Sequence, residues 1–370
     1  MSDHLACIED IRSSCSECGL CAEGCQLLTE IGQSPLEIAS RAVTAQEAFG
    51  CSLCGLCESV CPQELHPIAL FAHGRREVMA AGAIDRDDYC YLMPDRPNGL
   101  SAYRQFEQID YAGLGTAGSA QVFFPGCTMQ TYTPKLLRAA MARLEDANGP
   151  VALSLDCCGK PLRQMGLDSR AARYEAQVVK DLQERSTREV IVACPGCYYA
   201  LKKLLAATDI GVVTVYERMG SVAKTATPAA CLVHDTCPDR AGGVFQRQLR
   251  DKLKEAGYTI REFEHSGAEA RCCGSGGQVS HFRPDFRDTL LTERVAEARR
   301  CGGERIVSAC ASCVLNLSEK SDDLPVFHGL NLLLGLEEDY SAVKTRAGEM
   351  FQTEEGVLLW YEMMAADDPE

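Results

Sequence analysis

Twenty-two of the 370 residues are cysteine, and most fall into repeated arrays whose spacing suits metal chemistry. Two runs near the N-terminus, Cys15-x2-Cys18-x2-Cys21-x3-Cys25 and Cys51-x2-Cys54-x2-Cys57-x3-Cys61, each place four thiols within eleven residues. Thiolates so spaced can wrap an iron-sulfur cubane, so the runs point to electron transfer. Two longer constellations follow, each with a lone cysteine, a Cys-Cys-Gly triplet and a Cys-x2-Cys pair. The first comprises Cys127, Cys157, Cys158, Cys194 and Cys197, and the second Cys237, Cys272, Cys273, Cys310 and Cys313. Cys7, Cys90, Cys231 and Cys301 stand outside every array.

Other uses of cysteine fit less well. A disulfide framework belongs to small secreted domains, whereas the opening MSDHLACIEDIR has no apolar stretch like that of a signal peptide. Zinc is the stronger rival, because Cys-x2-Cys pairs also build tetrahedral sites. Both N-terminal runs, however, keep the third and fourth cysteines of a bacterial ferredoxin run, and the second closes with Cys61-Pro62. Gln26 stands where the first run would carry that proline. In the downstream arrays four of five thiolates could still close a zinc site.

A chain of this length that is 46% hydrophobic can bury two or three cores. Its net charge of -15 excludes a nucleic-acid partner, which needs clustered cations, and suits a basic redox partner instead. The longest apolar candidate, Gly329 to Leu336, is far too short to span a bilayer. The expected location is therefore cytoplasmic, with any membrane association made through another subunit.

These cysteines need elements to position them. Between Cys25 and Cys51 the segment is rich in Leu, Ala, Glu and Gln, with Ser34 as a helix N-cap before Pro35, so residues 1–90 read as an α-helical two-cluster ferredoxin domain. The crossover of such domains pairs Cys15, Cys18, Cys21 and Cys61 on one cluster, and Cys51, Cys54, Cys57 and Cys25 on the other. Residues 91–119, with several prolines and glycines, read as a connecting segment draped over the core. Gly113-x-Gly115-x-x-Gly118 matches a dinucleotide fingerprint, but a strand, AQVFF, follows where that motif needs a helix, so nucleotide binding is not expected.

The remainder is an internal repeat. Cys127 and Cys237 lie 110 residues apart, Cys157 and Cys272 lie 115 apart, and Cys194 and Cys310 lie 116 apart. Each copy reads strand, lone cysteine, helix, strand, Cys-Cys-Gly, helix, strand, Cys-x2-Cys, helix. The strands are QVFFP, VALSL and EVIVA in residues 120–226, and ACLVH, YTIREFE and RIVSA in residues 227–370. Helices are expected from near Pro134, Asp168 and Tyr198, then near Gly243, Pro284 and Ala311. The tail beyond Asp323 is expected to be helical and the final AADDPE to fray.

Alternating strands and helices imply two α/β domains with small parallel sheets, whose ligands gather beyond the carboxyl ends of the strands. That is where Cys127, Cys194, Cys237 and Cys310 fall, at helix starts that favour anionic thiolates. A cubane takes four terminal thiolates and each domain offers five. One must bridge, stay free or react, unless one of the adjacent pair is merely a small buried residue. Lys160 and Arg163 are either surface cations or contacts for an anionic substrate group. His234 either protonates a leaving thiolate or is a hydrogen-bonded structural residue.

With both ferredoxin runs and FFPGC at 123–127, CCGKP at 157–161, ACPGC at 193–197, HDTC at 234–237, CCGSGG at 272–277 and SACASC at 308–313, the chain resembles the CCG-domain iron-sulfur proteins. Among them it is most similar to the heterodisulfide reductase type with two ferredoxin clusters, in which both cysteine sets are complete. HDTCPDR departs from the more usual HDPC followed by Gly-Arg. The resemblance implies two cubane 4Fe-4S clusters, plus a non-cubane 4Fe-4S cluster on all five cysteines of each CCG domain, the latter two facing a shared cavity. It implies an oxidoreductase of anaerobic metabolism that reduces or forms a small-molecule disulfide. The donor would be a flavoprotein, a hydrogenase or a cytochrome of the b type. The other role open to this architecture is a non-catalytic electron-transfer subunit of a glycolate or lactate dehydrogenase or a membrane-cytochrome complex.

Overall fold

The computed structural model describes residues 3–365, so the fraying expected beyond Ala365 lies outside the described residues. Six helices form the N-terminal module: Asp3–Ser14, Gln26–Ile31, Pro35–Ala39, Ala45–Gly50, Leu56–Ser59 and Ile68–Ala80. Ser34 caps its helix as its sequence suggests: its Oγ accepts from Glu37 N at 3.2 Å, and its own N–H donates to Glu37 at 2.7 Å. Thr44 and Glu47 repeat the device one helix later. Ile11, Leu27, Leu28, Ile38, Leu70 and Phe71 bind these short helices into one core, which Val279 and Phe286 from the far end of the chain complete.

Both cysteine loops of this module turn in the same way. Glu17 and Leu53, each the residue before the second cysteine of its run, adopt φ of 52° and 50°, and the glycines after that cysteine, Gly19 and Gly55, adopt 81° and 77°. Left-handed non-glycine residues are uncommon and concentrate where function demands a fixed loop.

The downstream repeat forms two four-stranded parallel sheets. Strands β1 (Gln121–Phe124), β2 (Ala152–Leu153), β3 (Glu189–Val192) and β4 (Gly211–Thr214) are ordered β2-β1-β3-β4. Strands β5 (Ala230–His234), β6 (Thr259–Glu262), β7 (Arg305–Ser308) and β8 (Val326–His328) repeat that order as β6-β5-β7-β8. In register, Val122 pairs with Val190 and Leu232 with Ile306. The expected helices are found at Pro134–Asn148, Asp168–Glu184, Pro195–Leu204, Val244–Glu255, Pro284–Cys301 and Ala311–Ser318. The two domains are not separate bodies, since one apolar core runs from Val122 and Ile191 through Tyr198 and Phe245 to Val233 and Val307.

Two features differ from the sequence reading. Each sheet has a fourth strand, β4 and β8, that carries no cysteine and so escapes a repeat aligned on its cysteines. Thus the tail beyond Asp323 opens as a strand before the helices Gly329–Leu333, Val343–Met350 and Glu354–Met364. Those last two helices pack largely on the connecting segment, where Cys90, Ala102, Tyr103, Met350, Leu359 and Met363 share a core. Asn98 donates to Glu362 at 2.6 Å and Arg346 pairs with Glu107 at 2.7 Å, so the long connection is ordered from outside. Gly113, Gly115 and Gly118 form left-handed turns leading into β1, and at Gly115 a Cβ would lie 3.0 Å from Val151 O. Backbone packing explains that glycine.

Candidate metal centres

The two N-terminal runs exchange their fourth cysteines in space. Cys15, Cys18, Cys21 and Cys61 line one cavity of about 310 Å³. Cys25, Cys51, Cys54 and Cys57 line a second, of about 600 Å³, which Cys272 also reaches. The thiols in each group repel one another when ionised: Cys21 feels Cys15, Cys18 and Cys61, and Cys57 feels Cys54, Cys51 and Cys25. Cys18 is exposed, and Leu20 beside it is 40% exposed, so the first group sits at the surface.

In the first CCG domain the chain turns at Pro125–Gly126 after β1, so that Cys127 opens a helix; Cys194 is the N-cap of Pro195–Leu204. Gly126 adopts φ 87°, and a Cβ there would lie 2.8 Å from Cys194 Cβ and 3.3 Å from Cys197 Sγ, so only glycine lets the two cysteine segments approach. The thiols form a chain of neighbours that shift one another's ionisation, from Cys127 to Cys157, Cys158, Cys197 and Cys194. The second domain repeats it from Cys237 to Cys272, Cys273, Cys313 and Cys310, with Cys273 Sγ 3.1 Å from Cys313 Sγ. In both, the second residue of the adjacent pair is the hub. Cys158 is pulled well below an ordinary thiol by bonds from Cys157 and Cys197, and Cys273 by bonds from Cys272 and Cys313.

Elsewhere burial and mutual repulsion oppose ionisation. Burial first, then Cys15 and Cys18, push Cys21 up to about 11; burial and then Cys54 do the same to Cys25. Thiols such as Cys21, Cys25, Cys51, Cys54 and Cys57, drawn together against such penalties, lack a compensating charge, and a thiolate-ligated iron-sulfur cluster supplies one. Soft sulfur donors at loop and helix ends fit that group.

The sites are keyed to one another. Cys54 and Cys272 line one cavity and shift each other's ionisation, linking the second N-terminal group to the second CCG group. Gly277, at φ 60°, packs where a Cβ would meet Cys51 O at 2.6 Å. Arg240 donates through Nε to Cys54 O at 3.0 Å, through Nη2 to Ala270 O at 2.7 Å and through Nη1 to Ala268 O, so the Arg of HDTCPDR straps the two cysteine loops together. Buried Arg75 ties the N-terminal module to the first CCG domain, with Nη2 to Cys51 O at 2.6 Å, Nη1 to Gln164 O at 2.6 Å and Nε to Ala48 O at 2.8 Å. Between the CCG groups, Thr128 Oγ1 lies 2.8 Å from Ser312 Oγ, and Cys310 is close enough to feel the charge of Cys194.

Neither Arg75 nor the Thr128–Ser312 contact is marked by a motif, whereas Arg240 lies in HDTCPDR without its strapping role being visible there. Asp235 and Asp239 of HDTCPDR are structural: Asp235 pairs with Arg250 at 2.7 Å, while Asp239 accepts from Val244 N at 2.9 Å and from Tyr199 Oη. Lys160 Nζ lies close to Gly196 and Cys194, at the first CCG group. Arg163 is taken up by Glu175, at 2.7 Å from Nε to Oε1, and does not meet the cysteines. Burial and then Arg294 lower His234 to about 3, which disfavours a charged imidazole there. His265 meets Glu297 at 3.2 Å, His281 meets Tyr91 at 3.0 Å, and His328 caps the helix that begins at Gly329. Cys90 and Cys231 are buried in apolar cores, and Cys7 and Cys301 pack partly buried against others.

Fold and thiol groups together define a helical two-cluster module fused to a tandem of parallel α/β cysteine-rich domains. Sequence comparison agrees: a 4Fe-4S dicluster domain matches residues 14–66 and a cysteine-rich domain matches residues 121–202 and again 231–318. The chain thus carries a 4Fe-4S dicluster domain followed by a repeated CCG cysteine-rich domain. It is 24% identical to a subunit of the fumarate reductase (CoM/CoB) of Methanothermobacter marburgensis, over 86% of this chain and 71% of that one. It is 27% identical to a subunit of the dihydromethanophenazine:CoB--CoM heterodisulfide reductase of Methanosarcina mazei, over 80% and 78% of the two chains. It is 26% identical to the EtfAB:quinone oxidoreductase of Syntrophomonas wolfei, over 44% and 25%. Among the described residues no helix is long and apolar enough to cross a membrane.

Proposed function

We propose that this chain is the disulfide-reducing subunit of a redox complex, in which two ferredoxin clusters feed paired clusters in the CCG domains. The carrying observation is that both five-thiol groups are complete and lie against each other across Thr128 and Ser312. Cys15, Cys18, Cys21 and Cys61 would hold one cubane, and Cys25, Cys51, Cys54 and Cys57 the other. Cys127, Cys157, Cys158, Cys194 and Cys197 would hold one non-cubane cluster, and Cys237, Cys272, Cys273, Cys310 and Cys313 its partner. When bound, these clusters supply one-electron exchange and iron able to take sulfur.

The rest is done by protein groups. Cys18 and Leu20 at the surface mark where a donor subunit docks. The Arg240 strap and the Cys54–Cys272 contact fix the distance between the ferredoxin module and the second CCG site. Lys160, beside Cys194, would attract an anionic end of the substrate. The net reaction takes one disulfide, two electrons and two protons to two thiols, with the S–S bond broken and one electron per sulfur drawn through each CCG site.

A second reading is supported by the relative named for quinone oxidoreductase, and by the head-to-tail line of four thiol groups: a wire that passes electrons between partners without touching a disulfide. Anaerobically reduced chain with verified iron separates them. A disulfide reductase is reoxidised by thiol-coenzyme heterodisulfides, releasing two thiols per two electrons. If several chemically distinct heterodisulfides leave it reduced while an acceptor protein oxidises it, the wire replaces this reading.

A further inference from the structure

The CCG sites repeat in their thiols but not in what stands behind them. His234 ends β5 at the position that Phe124 takes at the end of β1, each three residues before the lone cysteine. His234 is 1% exposed, and its Nδ1 lies 3.1 Å from Arg294 Nε. A guanidinium has donors only, so Nδ1 must accept and the imidazole proton must sit on Nε2. Arg294 is itself fixed, with Nη1 bonded to Glu297 Oε2 at 2.7 Å and to His265 O at 3.0 Å, and its guanidinium 3.6 Å from the centre of the Phe263 ring. The residue 116 positions before Arg294 is Val178, so the first domain has no counterpart to this charged support.

Nε2 is buried and meets no partner among the described residues. A ring nitrogen of His234 lies within 4.8 Å of the sulfurs of both Cys273 and Cys313, and Nδ1 is already engaged. A buried N–H left unpaired is destabilising, so this one requires an acceptor that the polypeptide does not provide. Direct ligation of iron is excluded by the tautomer. A metal-bound imidazole donates its other N–H to a carboxylate or carbonyl, whereas here the other nitrogen faces a donor.

We propose that His234 Nε2–H donates a hydrogen bond to sulfur at the second CCG site, and that this makes the cluster there the more easily reduced of the pair. The inference rests on the reading that both CCG sites carry iron-sulfur clusters. A proton shared with a cluster sulfur, backed by a buried guanidinium, stabilises the added electron; Phe124 and Val178 offer the first site nothing comparable. The favoured site is the one that touches Cys54, so the first electron from the ferredoxin module rests there and the second must go on. His234 acts as a positioning residue, through the sulfur and not on substrate.

The test is a potentiometric titration followed by EPR on anaerobic full-length chain with measured iron, as wild type, His234→Phe and His234→Gln. The expected result is that His234→Phe lowers the midpoint of one CCG signal towards that of the other. The ferredoxin midpoints stay in place, and His234→Gln, whose amide can still donate, retains most of the difference. Wild type labelled with 15N-histidine should show a weak nitrogen coupling and a proton coupling that disappears in D2O. Iron-loaded His234→Phe with unmoved midpoints overturns the proposal, as does a strong, directly bonded nitrogen coupling. If the variants do not fold, the labelled wild type decides, since absence of an exchangeable proton coupling overturns it too. Wild type with no iron at the second CCG site overturns the cluster assignment as well, which iron with unmoved potentials does not.

Discussion

Cys54, in the second N-terminal run, and Cys272, the first of the adjacent cysteines in the second CCG domain, line one cavity across the domain boundary and shift each other's ionisation. Each belongs to a different expected cluster, so those two clusters come nearly into contact. The first CCG group touches no ferredoxin cysteine in this way, and connects instead through Thr128, Ser312 and Cys310. Two spatially equivalent domains are thereby made unequal in their place along the electron route.

Magnetic coupling is the first consequence. When the cluster on Cys25, Cys51, Cys54 and Cys57 and that of the second CCG site are paramagnetic together, their EPR signals should be split or relax fast. An unsplit, slowly relaxing pair would mean that the two thiol groups do not hold clusters at this spacing.

Arg240 provides a second test. Replacing it with Met removes three donors to the carbonyls of Cys54, Ala268 and Ala270 and leaves acceptors to find water. Each such loss costs about 1–3 kcal/mol where burial is complete and less here, because Arg240 is half-buried. Iron content should stay near wild type, roughly 16 per chain, while stopped-flow reduction of the CCG signals by a ferredoxin-level donor slows at least several-fold. Unchanged kinetics would remove the strap from the electron path.

The arrays were legible because cysteine chemistry is written in spacing, and the repeat because its offsets nearly agree. What sequence hid depends on residues far apart in the chain. Arg75 and Arg240 each look like an ordinary helix or loop cation until Cys51 O and Cys54 O are placed beside them. Strands β4 and β8 carry no cysteine motif, so a repeat aligned on its cysteines passes over them. His234 illustrates a further limit: its proximity to Cys237 suggested an acid, but only the fold brings Arg294 onto Nδ1.

Acid should weaken the fold through His328. It is buried, its Nδ1 accepts from Leu330 N at 3.2 Å, and burial lowers it to about 4. The folded value lies below the unfolded one, so below the ordinary histidine range the unfolded chain binds a proton that the folded chain refuses. Stability is full above about pH 6.5 and declines as pH falls through the window down to 4. At pH 5.5 the loss from this one group is about 1.4 kcal/mol. Denaturant midpoints at pH 7.5 and 5.5 should differ less in His328→Asn, which keeps an acceptor without the titration. An equal pH difference in both proteins would assign the effect elsewhere.

The hub cysteines offer the sharpest separation between holding a cluster and using it. Cys158 lies between Cys157 and Cys197, and Cys273 between Cys272 and Cys313, with Cys273 Sγ 3.1 Å from Cys313 Sγ, so each is the middle member of its five-thiol chain. Cys158→Ser or Cys273→Ser should therefore disrupt one CCG cluster and abolish disulfide-dependent reoxidation by 100-fold or more, about 2.7 kcal/mol in barrier. The ferredoxin signals should persist, because those thiol groups draw on residues 15–61. Iron should fall by about a quarter in either variant, from roughly 16 towards 12. The two variants should differ in one respect: Cys273→Ser, which damages the site beside Cys54, also blocks reduction of the intact first CCG cluster by a donor at the ferredoxin end. Cys158→Ser leaves the second site reducible by one electron. Equal behaviour, with the first CCG cluster reduced at wild-type rate in Cys273→Ser, would show that electrons do not enter through the second site.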